Sequence, residues 1–173
     1  TSPAPLIDLP ISKWDKLLNV NTRATLLLAQ AAYPALKESK GALVAVASMS
    51  GMGAHPGMGA YSPSKAALIS LCQVLAQEWA CDGINVNTVS PGMIRTPLTQ
   101  KVYENNQIAK ERAALVPWGR VGNPEDISNV ISFLLSPEAN YITGQNILVV
   151  GGFVDSLYRH IPGLPISSEI DKT

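Results

Sequence analysis

The sequence predicts an α/β fold with a parallel sheet, and three observations carry that expectation. Segments near 42–48, 84–90 and 146–150 have the length and apolar content of strands. The stretches between them are long enough for helical crossovers, which parallel pairing needs. The run Ala42 to Ala47 is apolar without a break, the pattern of a strand buried on both faces. With 173 residues, 46% of them hydrophobic, the chain can bury the core of a single domain, residues 1–173, with an irregular tail from 153 to 173.

The opening TSPAPLIDLPIS is Pro-rich and irregular, and Ser12 is placed to cap a helix from Lys13 to about Lys37. That helix is apolar nearly all round, through Trp14, Leu17, Leu18, Leu26, Leu27 and Leu28, and so is a second from Pro63 to Trp79. A helix without a clean polar face needs burial on two sides, so one side covers the sheet and the other meets a second copy. The expected assembly is a homo-oligomer, a dimer or tetramer, built through residues 13–37 and 63–80. Asn19 and Asn21 interrupt the first helix. A buried amide must find partners, so one of them bends the helix or holds a water.

Ser48 stands at the C-terminal end of the first strand, where open α/β sheets place their ligands. A Gly-rich loop follows, and Tyr61 and Lys65 then open the second helix four residues apart, on one face. Free tyrosine has a pKa of about 10, so ionising it at pH 7 costs about 4 kcal/mol and it is a poor base alone. A neighbouring ammonium favours the phenolate, and a hydroxyl such as that of Ser48 can hold a substrate oxygen. Together they make a proton-transfer site for an alcohol or a carbonyl. Each also has a plain structural reading: a strand-end cap for Ser48, a half-buried aromatic for Tyr61, a solvated helix charge for Lys65. Chemistry is favoured by the ordered set, Ser48, then thirteen residues to Tyr61 and four more to Lys65, after a buried strand and at a helix start.

Pro63 is tolerated in the first turn of its helix, where a missing N–H is not needed. Gly83 ends that helix, and Ile84 to Val89 alternates apolar and polar residues like a strand, closed by Ser90-Pro91-Gly92. Residues 97–120 are polar and mixed, suited to a mobile segment over a site. A further helix starts at Asn123 or Pro124 and carries Ile127, Val130, Ile131, Phe133 and Leu134 at helical spacing, before a strand from Ile147 to Val150.

The serine, tyrosine and lysine, in that order and spacing, resemble the Tyr-x-x-x-Lys signature of the short-chain dehydrogenase/reductase family. The resemblance continues in Val20-Asn21-Thr22, in Pro91-Gly92-Met93-Ile94-Arg95-Thr96, from Gly119-Arg120 to Pro124-Glu125-Asp126, and in Tyr141-Ile142-Thr143-Gly144-Gln145. It implies a Rossmann-like, doubly wound parallel sheet and an NAD- or NADP-dependent oxidoreductase acting on a small-molecule alcohol or carbonyl. Tyr61 is then the acid/base, Lys65 supports it and holds the cofactor ribose, Ser48 binds the substrate oxygen, and Asn21 holds a water that links the lysine to solvent. Tyr61, Lys65, Pro91, Gly92, Ile94 and Thr96 are the cofactor contacts. A carboxamide has donors and an acceptor, so loop backbone at Ile94 and the Thr96 hydroxyl can pair with it. The substrate itself is not readable, because its candidate contacts, among them His55, Met58, Met93 and residues 97–120, are of general character.

Two departures qualify the resemblance. Val150 stands before Gly151-Gly152 where an aspartate is common. More important, no strand leads into a G-x-G-x-x-G turn that could hold a pyrophosphate, so the N-terminal strands of the family fold are missing and only the C-terminal two-thirds is represented. The expectation is a truncated chain that by itself neither binds the dinucleotide tightly nor turns over. A non-catalytic assembly remnant of such an enzyme is the alternative. Ser62-Pro63-Ser64-Lys65 also reads as S-x-x-K, an acyl-serine hydrolase motif, but no K-T-G or S-D-N accompanies it.

A formal net charge of zero argues against a nucleic-acid or anionic-membrane partner. Cys72 and Cys81, nine apart, suit neither a disulfide nor a metal site, so reduced thiols, a cytoplasmic location and no metal are expected. No apolar run approaches the roughly 18 residues of a membrane span, and no signal peptide precedes the first helix.

Overall fold

The computed structural model describes residues 3–161, so the expected tail beyond 161 lies outside the described residues. Three strands, β1 (Ala42–Val46), β2 (Asn85–Pro91) and β3 (Asn146–Val149), form one sheet in that order. β1 and β2 pair in parallel, Ala42 opposite Asn85 through to Val46 opposite Val89. Between β2 and β3, Gly144 N donates to Val86 O at 2.8 Å and Thr88 N to Gln145 O at 2.8 Å, so the bonds advance together along both segments.

Burial departs from the sequence expectation on both β1 and β2. β1 was expected to be buried on both faces, yet Val46 is 47% exposed, because β1 is an edge strand with β2 on one side. β2, the central strand, is buried from Val86 through Ser90 although its sequence alternates apolar and polar residues. Its polar side chains are satisfied instead of solvated. Asn87 donates to Ile142 O at 2.7 Å and accepts from Gln145 N at 2.9 Å, and Thr88 and Ser90 donate to Asn146 Oδ1 at 2.9 and 2.6 Å.

The long first helix is interrupted. α1 (Ile11–Leu18) passes through a π turn at Asn19–Arg23 into α2 (Ala24–Ser39). The widening falls on the stretch that carries Asn19 and Asn21. Ser12 lies inside α1 and caps nothing. Pro10 holds the cap position, and its carbonyl accepts from Lys13 N at 2.9 Å and Trp14 N at 3.2 Å. α3 runs Tyr61–Trp79, two residues earlier than Pro63, with Pro63 in its first turn. Leu68, Ile69, Cys72, Leu75, Ala76 and Trp79 of α3 meet Ala29 of α2 and Ala45, Ile84 and Val86 around the sheet, and this is the core. Gly83 follows in a left-handed conformation, φ 77°, which a glycine adopts without a Cβ clash.

Backbone contacts gather the chain into two compact units. Among the described residues, one holds the chain up to Pro91 with Glu125–Leu148; the other holds Gly92–Pro124 and residues 149–161. In the second, residues 97–120 form two helices, α4 (Gln100–Tyr103) and α5 (Asn106–Leu115). Asn105 caps α5 by accepting from Gln107 N at 3.0 Å and Ile108 N at 3.2 Å. Tyr103 is buried, with the guanidinium groups of Arg95 and Arg112 at 5.3 and 5.6 Å from its ring centre. α6 spans Pro124–Leu134, at the expected place. Among the described residues no helix is long and apolar enough to cross a membrane, and no group of three or more His, Cys, Asp or Glu could hold a metal ion.

Candidate active site

Ser48 follows β1 in extended backbone and caps a short 3-10 turn, Met49–Gly51. Its Oγ accepts from Ser50 N at 3.1 Å, so the hydroxyl has the capping role as well as its strand-end position. Gly51 seats that turn on α3. A Cβ at Gly51 would lie 2.9 Å from the Lys65 carbonyl carbon and 2.9 Å from Ile69 Cδ1, so only a glycine lets the turn come this close.

Tyr61 is the first residue of α3 and Lys65 lies one turn on, with its Nζ 6.0 Å from the Tyr61 ring centre. The same ammonium donates to Val46 O at 2.9 Å, at the end of β1 and two residues before Ser48. Burial holds the Lys65 ammonium below the usual lysine pKa. Lys65 and Asn21 share a cleft of about 350 Å³ with Val20, Leu43, Val46 and Leu68. A second cleft, about 390 Å³, lies between the 50–59 loop and the start of α3, with Ser50, His55 and Ser62 as its polar members. In it Ser50 Oγ and His55 Nδ1 are 3.1 Å apart.

Asn21 and Thr22 of the π turn both reach α3 at Ser64. Asn21 Nδ2 donates to Ser64 Oγ at 2.9 Å, Thr22 Oγ1 donates to Ser64 O at 2.9 Å, and Ser64 Oγ donates to Tyr61 O at 2.7 Å. Asn19 is exposed. Sequence reasoning missed Ser64 and Thr22. The available signal was a hydroxyl inside an otherwise apolar helix, where serine is a poorer helix former than alanine.

The other expected cofactor contacts divide at the end of β2. Pro91 closes that strand, while Gly92, Ile94 and Thr96 belong to the second unit. There Gly92 lies against Val150, where a Cβ would come within 3.0 Å of the Val150 Cα. Thr99 Oγ1 donates to Ile94 O at 2.8 Å, accepts from Thr96 N at 2.9 Å and lies 3.2 Å from Thr96 Oγ1. Thr99 thus organises the segment that the sequence pattern marked, and nothing in the pattern pointed to it. The S-x-x-K alternative gains nothing from the geometry: Ser62 Oγ accepts from His55 N at 3.2 Å while Lys65 Nζ turns to Val46 O.

The family described as enoyl-(acyl carrier protein) reductase matches residues 1–154. The chain belongs to the short-chain dehydrogenase/reductase family. Among its relatives, dehydrogenase/reductase SDR family member 4 of Bos taurus is 38% identical over 153 residues, covering 88% of this chain and 55% of that protein. The 3-oxoacyl-[acyl-carrier-protein] reductase FabG of Thermotoga maritima is 39% identical over 156 residues, 89% of this chain and 62% of that one. The fold is the Rossmann-like parallel sheet of the family. A 4-hydroxyisoleucine dehydrogenase solved with NADH superposes with a TM-score of 0.83 at 35% identity, over 88% of this chain and 63% of that structure. A structure from Agrobacterium tumefaciens with bound NADP, assigned to a 2-deoxy-d-gluconate 3-dehydrogenase, gives a TM-score of 0.83 at 31% identity, over 89% and 63%. The chain spans less than two thirds of the length of each of these dehydrogenases and reductases.

Proposed function

We propose that the protein interconverts an alcohol and its ketone or aldehyde with NAD or NADP, Tyr61 serving as acid/base. The observation that carries this reading is the Lys65 ammonium, partly buried and held 6.0 Å from the Tyr61 ring, on a helix seated against the turn that Ser48 caps. In reduction, the Tyr61 hydroxyl gives its proton to the carbonyl oxygen. Lys65 stabilises the phenolate left behind and holds the cofactor ribose, and Ser48 holds the substrate oxygen. Asn21 keeps the π turn in place beside Lys65 and supports a water there. The bound cofactor supplies or accepts the hydride that balances this proton.

The residues present are suited to the nicotinamide and ribose end of that cofactor. Tyr61 and Lys65 would meet the ribose, and Pro91, Gly92, Ile94 and Thr96 the carboxamide. The 173 residues contain no G-x-G-x-x-G turn for the pyrophosphate. Two relatives suggest a substrate class: the FabG match is named for a 3-oxoacyl group, and a Mus musculus match is named (3R)-3-hydroxyacyl-CoA dehydrogenase. The apolar side chains Leu27, Leu28 and Val74, exposed on α2 and α3, support a homo-oligomer built through these helices.

The test is turnover of ethyl acetoacetate with NADH and with NADPH by the full-length protein and by its Tyr61→Phe variant. The variant loses about 100- to 10,000-fold in kcat, the span of a lost general acid/base. Wild-type rates in Tyr61→Phe would sink the reading.

A further inference from the structure

α3 starts without a side-chain cap, because Ala60 holds the cap position. The first turn of a helix frays most readily. Here Tyr61 N bonds to Met58 O at 3.2 Å and Ser64 N to Ala60 O at 3.0 Å, and the turn runs from Tyr61 to the residue before Lys65. Side chains from outside the helix add to these bonds. Ser64 is fully buried and sits within this turn, three residues after Tyr61 and one before Lys65. Three hydrogen bonds meet on it: from Asn21 Nδ2 to its Oγ, from Thr22 Oγ1 to its carbonyl, and from its Oγ to Tyr61 O.

Side chains next to each other on a regular helix diverge by about 100°. Asn21 and Thr22 nonetheless reach the same residue, and they do so from within the π turn Asn19–Arg23. Helix propensity alone would favour alanine at 64, as at neighbouring 66 and 67, so the hydroxyl has its use in these bonds.

We propose that Ser64 is a positioning residue, clasped by Asn21 and Thr22, that holds the first turn of α3 so that Tyr61 and Lys65 keep their reacting geometry. The proposal rests on the reading of Tyr61 and Lys65 given above. The π turn then has a stated use, to bring two adjacent side chains onto one residue of the neighbouring helix. Asn21 acts on the tyrosine through Ser64, by its side-chain amide.

The test compares Ser64→Ala, Thr22→Val and the conservative Thr22→Ser with Tyr61→Phe in the full protein, on two readouts. Amide hydrogen exchange over residues 61–65 reads the clasp directly, and Ser64→Ala, which removes both bonds of the Ser64 Oγ, raises it at least about tenfold, the effect of one ordinary hydrogen bond. Turnover of ethyl acetoacetate with NADH or NADPH reads positioning. Ser64→Ala lowers kcat about 10- to 100-fold while the KM for the cofactor changes little, as expected of a small displacement of reacting groups. Thr22→Val shows a smaller loss that Thr22→Ser restores. Unchanged exchange in Ser64→Ala overturns the clasp. Faster exchange with wild-type kcat overturns the positioning role while leaving Tyr61 in place. Full turnover by Tyr61→Phe overturns the reading of the tyrosine, and the positioning role falls with it.

Discussion

Gly51 lies directly on the backbone of Lys65, close enough that a Cβ would stand 2.9 Å from the Lys65 carbonyl carbon and 3.0 Å from its oxygen. The contact ties the turn capped by Ser48 to the helix that carries Tyr61 and Lys65. It brings together groups that lie more than a dozen residues apart along the chain.

Gly51→Ala should therefore push the turn off the helix. Ile69 Cδ1 can turn aside, but the carbonyl carbon and oxygen of Lys65 are backbone and cannot rotate away, so the cost is that of overpacking, about 1–3 kcal/mol. Urea unfolding followed by circular dichroism measures it. A midpoint equal to the wild type would show that the turn shifts freely.

Lys65→Met should leave stability unchanged or raise it, while abolishing turnover. Burial depresses the folded-state pKa of this lysine, so the protonated form is penalised in the fold. The sign follows from linkage: that penalty is present below the folded pKa and is relieved as pH rises through it toward the usual 10.5. Thermal unfolding of both proteins at pH 7 and pH 10 tests this, with the difference between them narrower at pH 10.

The pH dependence of unfolding should also carry the mark of a surface cluster. Asp82 is bonded to the Tyr33 hydroxyl and lies 2.7 Å from Lys37 Nζ. Lys37 and Tyr33 hold the Asp82 carboxyl below its usual 3.8, so its contribution is present above that value and lost as pH falls through the folded pKa. Asp82 in turn raises Lys37 above 10.5, so that contribution is present below 10.5 and lost as pH rises through the folded value. Asp82→Asn should flatten both limbs in a pH series of melting curves. Unaltered limbs would assign the dependence to other groups.

The two cysteines should separate under alkylation. Cys72 is buried in the core and burial pushes its thiol up to about 11, whereas Cys81 is exposed. Iodoacetamide at pH 8 should label Cys81 in the folded protein and Cys72 only after denaturant is added, read by peptide mass. Equal labelling of both in the native state would mean that α3 opens.

The features legible in the residue order are local ones. Residues four apart share a helix face wherever that helix sits, so Tyr61 and Lys65 were paired before any fold was known. The three strands were legible because apolar runs of that length between crossover segments leave few other arrangements, and the edges moved by only a residue or two. Tertiary structure decided the rest, because it depends on partners distant along the chain. The Asn21–Ser64 bond spans 43 residues, and the Lys65–Val46 bond spans 19. Which polar residues of β2 are buried was settled by the carbonyls around Ile142 and by Asn146, and no alternation pattern can carry that information. The exposure of β1 depends on which strands stand beside it, and the π turn on whether a neighbouring helix offers its two side chains a common partner. A period in the sequence records which way a side chain points; what it meets there is set by the packing of the other elements.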